Sequence, residues 1–312
     1  MSKEIGGYFG FESFQGKEYY TGLTAVNSGR NALLYILKAR NIQKLIIPRF
    51  LCDSISELCK REGYPYEEYA IDADFKPLFD RNLKPDEYLY IVNFYGQISN
   101  EDIWQMKQRW KNVVVDNVQA FFQRPVSGVD TVYSCRKFFG VSDGGYVATD
   151  AVFLGKLEVD RSKDRMKHVL GRFEETGAAY YADFRANDEL FYGMPLMAMS
   201  PITHNILRGV NYAFVQRRRN ENYSQLHQAL GIKNKLQLTT PVGPYAYPFY
   251  CKNGMEVRKK LAAKGIYVAT LWPNVLNLEG TLEQDYAQNI LPLPCDQRYD
   301  MHDMNTIIDL LR

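Results

Sequence analysis

The chain has 312 residues, 46% hydrophobic and 24% charged, with 38 lysines and arginines against 36 aspartates and glutamates. That is ordinary globular composition, with apolar residues enough for a large core and a length of about two domains. A net charge of +2 excludes wholesale nucleic-acid binding, and no apolar run reaches the ~18 residues of a membrane span. The five cysteines and four histidines lie too far apart for a disulfide framework or a metal centre, so no metal is expected. The opening residues hold no apolar core with a small-residue cleavage site, and a cytoplasmic protein is expected.

Ser28 reads as the N-cap of a helix over 29–40, which sets Ala32, Leu33, Ile36 and Leu37 on one face. Residues 44–48 (KLIIP) and 88–93 (YLYIVN) read as buried strands. Asn100 reads as the N-cap of a helix over 101–111, with Ile103, Met106 and Trp110 on one face. Strands follow at 113–116, 130–134 and 145–149. This alternation predicts a mostly parallel sheet with helices on both faces.

Residues 151–200 are aromatic-rich and less regular. A long helix is predicted near 206–230. It carries Arg217, Arg218 and Arg219 beside Glu221, a solvated helix face or a local phosphate contact. A second α/β pattern follows: strand 245–251, helix 255–264 with Gly265 as its C′ residue, strand 266–270, and a helix over 301–311. The predicted division is a large unit over 1–205 and a small α/β unit over 206–312.

Ligands of open α/β sheets bind at the carboxyl ends of strands, and three features fall there. The turn Asn27-Ser28-Gly29-Arg30 opens a helix and offers free N–H groups to a phosphate; the alternative is a plain helix cap. Asp116 follows three consecutive valines, so it surfaces from a buried strand and needs a partner. A protonated ring nitrogen would serve, and so would a helix end or an arginine. Gln119 lies three residues on. Ser134 ends a strand, Lys137 follows, and Gly144-Gly145 turns the chain into the next strand. In isolation Lys137 reads as a solvated lysine on a glycine-rich turn.

In this order, 28-SGRNAL-33, 116-DNVQ-119 and 137-KFFGVSDGG-145 resemble the motifs of the DegT/StrS-type sugar aminotransferases. The Tyr-Gly stretch 93-NFYGQ-97 and parts of 259–311 are similar to that family as well, so the likeness spans most of 25–311. The resemblance implies a fold-type I transferase using pyridoxal 5′-phosphate (PLP), with a mostly parallel central sheet flanked by helices and a smaller C-terminal α/β domain. It implies that Lys137 carries PLP covalently and later shuttles a proton, and that Asp116 pairs with the ring nitrogen. Gln119 would lie near the phenolic oxygen; Ser28, Gly29, Arg30 and Ser134 would hold the phosphate. Phe50 or Cys52, in 48-PRFLC-52, would pack on the ring face.

The implied reaction moves an amino group from a small-molecule donor, glutamate by resemblance, to a keto group on a nucleotide-linked sugar, in a homodimer. A PLP-dependent sugar dehydratase and a non-catalytic PLP-fold binding protein are the rival readings. The sequence departs from the family in its compact Ser-Cys-Arg-Lys spacing. It also departs at 193–201, which stands where the family has an Asn-Tyr-Arg segment reaching the neighbouring subunit.

Overall fold

The structure, a computed structural model, describes residues 5–312. Ten strands are present among them: β1 (Thr24–Val26), β2 (Lys44–Pro48), β3 (Tyr66–Ile71), β4 (Pro77–Leu78), β5 (Glu87–Val92), β6 (Val113–Asp116), β7 (Asp130–Ser134), β8 (Gly145–Ala148), β9 (Tyr247–Tyr250) and β10 (Ile290–Leu293). The ten α-helices are α1 (Gly29–Ala39), α2 (Asp53–Glu62), α3 (Asn100–Trp110), α4 (Lys167–Glu174), α5 (Tyr181–Gly193), α6 (Pro201–Arg208), α7 (Tyr212–Leu230), α8 (Gly254–Ala262), α9 (Leu282–Asn289) and α10 (Met301–Leu311).

Eight strands form one sheet in the order β1-β8-β7-β6-β5-β2-β3-β4. The run from β7 to β3 is parallel, while β8, β1 and β4 are antiparallel to their neighbours. Runs such as 113-VVV-115 have both faces buried, as central parallel strands must. The apolar face of α1 packs there: Leu33, Ile36 and Leu37 share one core with Leu45, Ile46, Leu89 and Val114.

Register brings five chain ends to one edge of the sheet. Val92 pairs with Asp116, Asp116 with Val132, Ser134 with Gly145, and Gly145 with Val26. The carboxyl ends of β5, β6, β7 and β1 therefore lie side by side with the start of β8. From that edge the chain enters α1.

Residues 223–308 build a separate apolar cluster in which Leu226, Phe249, Leu261, Leu291 and Ile307 meet. Trp272, Val275 and Tyr286 instead join the large core, where Trp272 packs edge-to-face with its ring centre 4.4 Å from that of Phe50 and 5.2 Å from that of Phe94.

Several local expectations change. Ser99, not Asn100, caps α3: its hydroxyl accepts from Asp102 N–H at 3.1 Å and the Asp102 carboxylate accepts from Ser99 N–H at 3.3 Å. The expected helix over 206–230 is two, α6 and α7, because Asn211 caps a fresh helix through its side chain, accepting from Phe214 N–H at 3.0 Å. The β-branched stretch 266–270 forms no strand. Ile266 N–H is spent on Leu261 O behind α8, and β9 pairs with β10 alone in the second sheet. Residues 151–200, irregular by sequence, hold α4 and α5.

Candidate active site

The turn that opens α1 is closed in by its neighbours. A Cβ on Gly29 would lie 3.1 Å from Val118 Cγ1 and 3.2 Å from Ser134 Cβ. Ser28, Gly29 and Ser134 thus form one small cradle at the helix N-terminus. The Ser28 hydroxyl accepts from Asn31 N–H at 3.1 Å, so it is a helix cap. That leaves the N–H groups of Gly29 and Arg30 without intrahelical acceptors, at the positive end of the helix dipole. Among the described residues the Ser134 hydroxyl has no hydrogen-bond partner.

Arg30 points its guanidinium inward from the same turn. Its Nε and Nη1 are buried with no acceptor among the described residues, and the group stacks 4.2 Å over the Tyr192 ring of α5. Burial pulls its pKa down, and the fields of Tyr192, Cys52 and Asp188 partly restore it. Two buried donors without an acceptor mark a place where an anion fits. Cys52 lies near this group, half-buried at the start of α2. The Phe50 ring is fully buried between Trp272 and Phe94.

Asp116 ends β6 and is 4% exposed. Its Oδ2 accepts from Tyr90 Oη at 2.6 Å and its Oδ1 from Val118 N–H at 2.8 Å. Burial pushes its carboxyl above the usual range, opposed by the Tyr90 bond and by the positive charge of Lys137. Lys137 is exposed, with its Nζ 5.8 Å from the centre of the Tyr245 ring. Among the described residues its amine has no ion pair and no hydrogen bond, so it is available to a ligand.

Gln119 is buried, and its Oε1 accepts from Tyr95 N–H at 2.7 Å. That bond fixes the amide: Nε2 must face the other way, and it has no acceptor among the described residues. Tyr95 itself sits in the left-handed region at φ 55, held by this bond and by aromatic packing on Phe75 and Trp272.

The structure thus gathers Ser28, Gly29, Arg30, Ser134, Asp116, Gln119 and Lys137 at one edge of the sheet, with Cys52 beside Arg30 and Phe50 in the aromatic core. Sequence reasoning missed Tyr90, Tyr192 and Tyr245, and it read Arg219, within the basic run, as a solvated helix face or a phosphate contact, whereas the structure buries it. Arg219 is 1% exposed and donates to Pro244 O at 2.8 Å and Phe138 O at 3.4 Å, holding the segment after Lys137. Of its two neighbours in the basic run, Arg217 is exposed and Arg218 half-buried; both lie 3.7 Å from Glu221, and Arg218 Nη1 also donates to Tyr299 O at 3.5 Å.

No family model and no curated protein matches the sequence. Solved structures do match the fold. NtdA from Bacillus subtilis, with bound cofactor PMP, shares 15% identity at a TM-score of 0.66 over 94% of this chain and 73% of its own. A DegT DnrJ EryC1 StrS aminotransferase from Brucella abortus shares 16% at 0.60, over 93% and 85%. DesI in the presence of its TDP-sugar product shares 15% at 0.64, over 93% and 79%. The fold of this chain is the one these three structures share, as the sequence resemblance implied.

Proposed function

We propose that the protein is a PLP-dependent aminotransferase that moves an amino group from an amino-acid donor, glutamate by resemblance, to a keto group of a nucleotide-linked sugar. The observation that carries the reading is the convergence of an exposed lysine, a buried carboxylate and an anion-ready helix turn at one sheet edge. The chain's fold agrees with it, since structures of that fold hold PMP or a TDP-sugar.

The residues fit the cofactor. The N–H groups of Gly29 and Arg30, the Ser134 hydroxyl and the orphaned donors of the Arg30 guanidinium would take the phosphate. Asp116 would hold a proton at the ring nitrogen. Gln119, with its Oε1 already spent on Tyr95, would donate through Nε2 to the phenolic oxygen. Cys52 would pack on the ring, since the Phe50 ring is engaged by Trp272 and Phe94. Bound there, PLP supplies an aldehyde for amines and an electron-poor ring that accepts charge when a neighbouring carbon loses its proton. Lys137 would serve as the amine that holds the cofactor and then carries the proton on Nζ.

A large unit over 1–205, a small one over 206–312, a homodimer and a cytoplasmic location complete the reading. The separate apolar cluster of 223–308 supports a small C-terminal unit, while Leu207 and Val215 pack with Phe121 and Tyr146 of the large one. Borohydride treatment of the protein with PLP, followed by peptide mapping, should place the pyridoxyl group on Lys137. Added glutamate should convert the bound cofactor to its amine form. Labelling of Lys137→Ala at the parent's level would sink the assignment, and cofactor unresponsive to glutamate would favour the dehydratase or binding reading.

A further inference from the structure

Asp116 has more on its hands than a ring nitrogen. Its partner Tyr90 lies on β5, one strand over, 1% exposed and opposite Val114 in the β5–β6 ladder. The 2.6 Å Oη–Oδ2 bond is shorter than the 2.8 Å bond from Val118 N–H to Oδ1. Each carboxylate oxygen therefore already accepts one donor supplied by the protein. The backbone of Tyr90 is fixed in turn, since its carbonyl accepts from Tyr69 Oη at 2.8 Å. Beyond these two donors, the charged group that acts on Asp116 is Lys137.

We propose that Tyr90 is a positioning residue that keeps Asp116 ionised, and so keeps the proton of the Asp116–cofactor pair on the ring nitrogen. The inference rests on the PLP reading above. A buried pair of a carboxyl and a pyridine can exist as two ions or as two neutral groups. Donors aimed at the carboxylate favour the ions, because they stabilise only the charged form. Tyr90 can only play the donor here: burial and the Asp116 charge push its own hydroxyl well above the usual tyrosine range. Without that hydroxyl a buried carboxylate loses its shortest bond, and the proton moves from the ring to Asp116.

A nitrogen-15 label in the PLP ring reads the proton directly by NMR, independently of turnover. In the parent the ring nitrogen should resonate as a pyridinium. In Tyr90→Phe it should move toward the neutral-pyridine position that Asp116→Asn adopts. A para-aminophenylalanine at position 90 keeps the packing but donates more weakly than a phenol, so it should move the resonance in the same direction, by less, and it serves if the Phe variant fails to fold. A resonance that stays at the parent's position in both substitutions overturns the role of Tyr90. A parent that takes no PLP onto Lys137 overturns the functional reading instead.

Discussion

Gly145 presses on the turn that opens α1: a Cβ there would lie 2.8 Å from Gly29 N and 2.7 Å from Ser28 C and O. These are backbone atoms, so no side chain can swing aside. Gly145 is also pinned in the sheet between Val26 and Ser134, so relief must come from the cradle itself. Gly145→Ala is expected to lower stability by about 1–3 kcal/mol, as overpacking does, and to weaken PLP binding at the same time. Gly22→Ala, with nothing within 4 Å of its Cβ, should leave both unchanged. Thermal unfolding and a PLP titration of the two variants would decide it. An unaltered titration for Gly145→Ala would mean the cradle does not hold the phosphate.

Arg30 sets stability against ligand binding. Its buried Nε and Nη1 lack acceptors, a cost of about 1–3 kcal/mol per unsatisfied group. The stacking on Tyr192 returns roughly 0.5–1 kcal/mol. Unsatisfied donors outweigh it, so Arg30→Met should raise the unfolding midpoint of the cofactor-free protein. The same change should shrink the extra stability that saturating PLP confers, because the acceptor those donors await is then missing. Equal stabilisation of parent and variant by PLP would remove Arg30 from the phosphate site.

Arg219 does the opposite kind of work on the far side of Lys137. Its guanidinium donates to Pro244 O, Phe138 O and Gln297 Oε1 and stacks 4.5 Å over the Phe138 ring. A lysine offers one point charge where the arginine offers a planar fork. Arg219→Lys should therefore cost about 2–4 kcal/mol, from buried carbonyls left without donors. Arg217→Lys, two residues earlier on the exposed face of α7, should stay within about 0.5 kcal/mol. Urea midpoints of the two variants give the comparison; similar midpoints would show that Arg219 is no clamp.

The parts of this site legible in sequence are those whose signal is local. Asp116 announces itself because a carboxylate follows three buried valines, and Lys137 because a serine and a glycine pair bracket it. Tyr90 carries no such mark. It reads as one more aromatic in a buried strand, and its bond to Asp116, 26 residues away, exists only through the register of β5 on β6. The Arg30 guanidinium likewise needs Tyr192 of α5, an element the sequence left irregular. The strand expected at 266–270 failed for a related reason. β-branched residues fit a pleated surface, yet a strand requires a neighbour with free backbone groups, and Ile266 N–H was already spent on α8. At α3, Ser99 and Asn100 are both good caps, and the reciprocal bond with Asp102 decided between them.

Acid should test the start of β5. Arg81 donates to Glu87 at 2.6 Å, Lys84 N–H adds a bond at 3.0 Å, and Lys44 lies 3.5 Å away. The Arg81 bonds, against the penalty of burial and with help from the Lys84 N–H, hold the Glu87 carboxyl down at about 2, from 4.5 for a free glutamate. A depressed native pKa means that the unfolded chain binds the extra proton. The stabilisation from Glu87 is thus complete above pH ~4.5 and drains away as pH falls toward about 2. Arg81 is partly exposed, so solvent screening trims the gain. The urea midpoint of the parent should fall between about pH 5 and about pH 3 more steeply than that of Glu87→Gln, which has no proton to take up there. Arg81→Met should flatten the slope in the same way, because Glu87 then titrates nearer its unfolded value. Parallel slopes in all three proteins would show that this ion pair contributes nothing to acid stability.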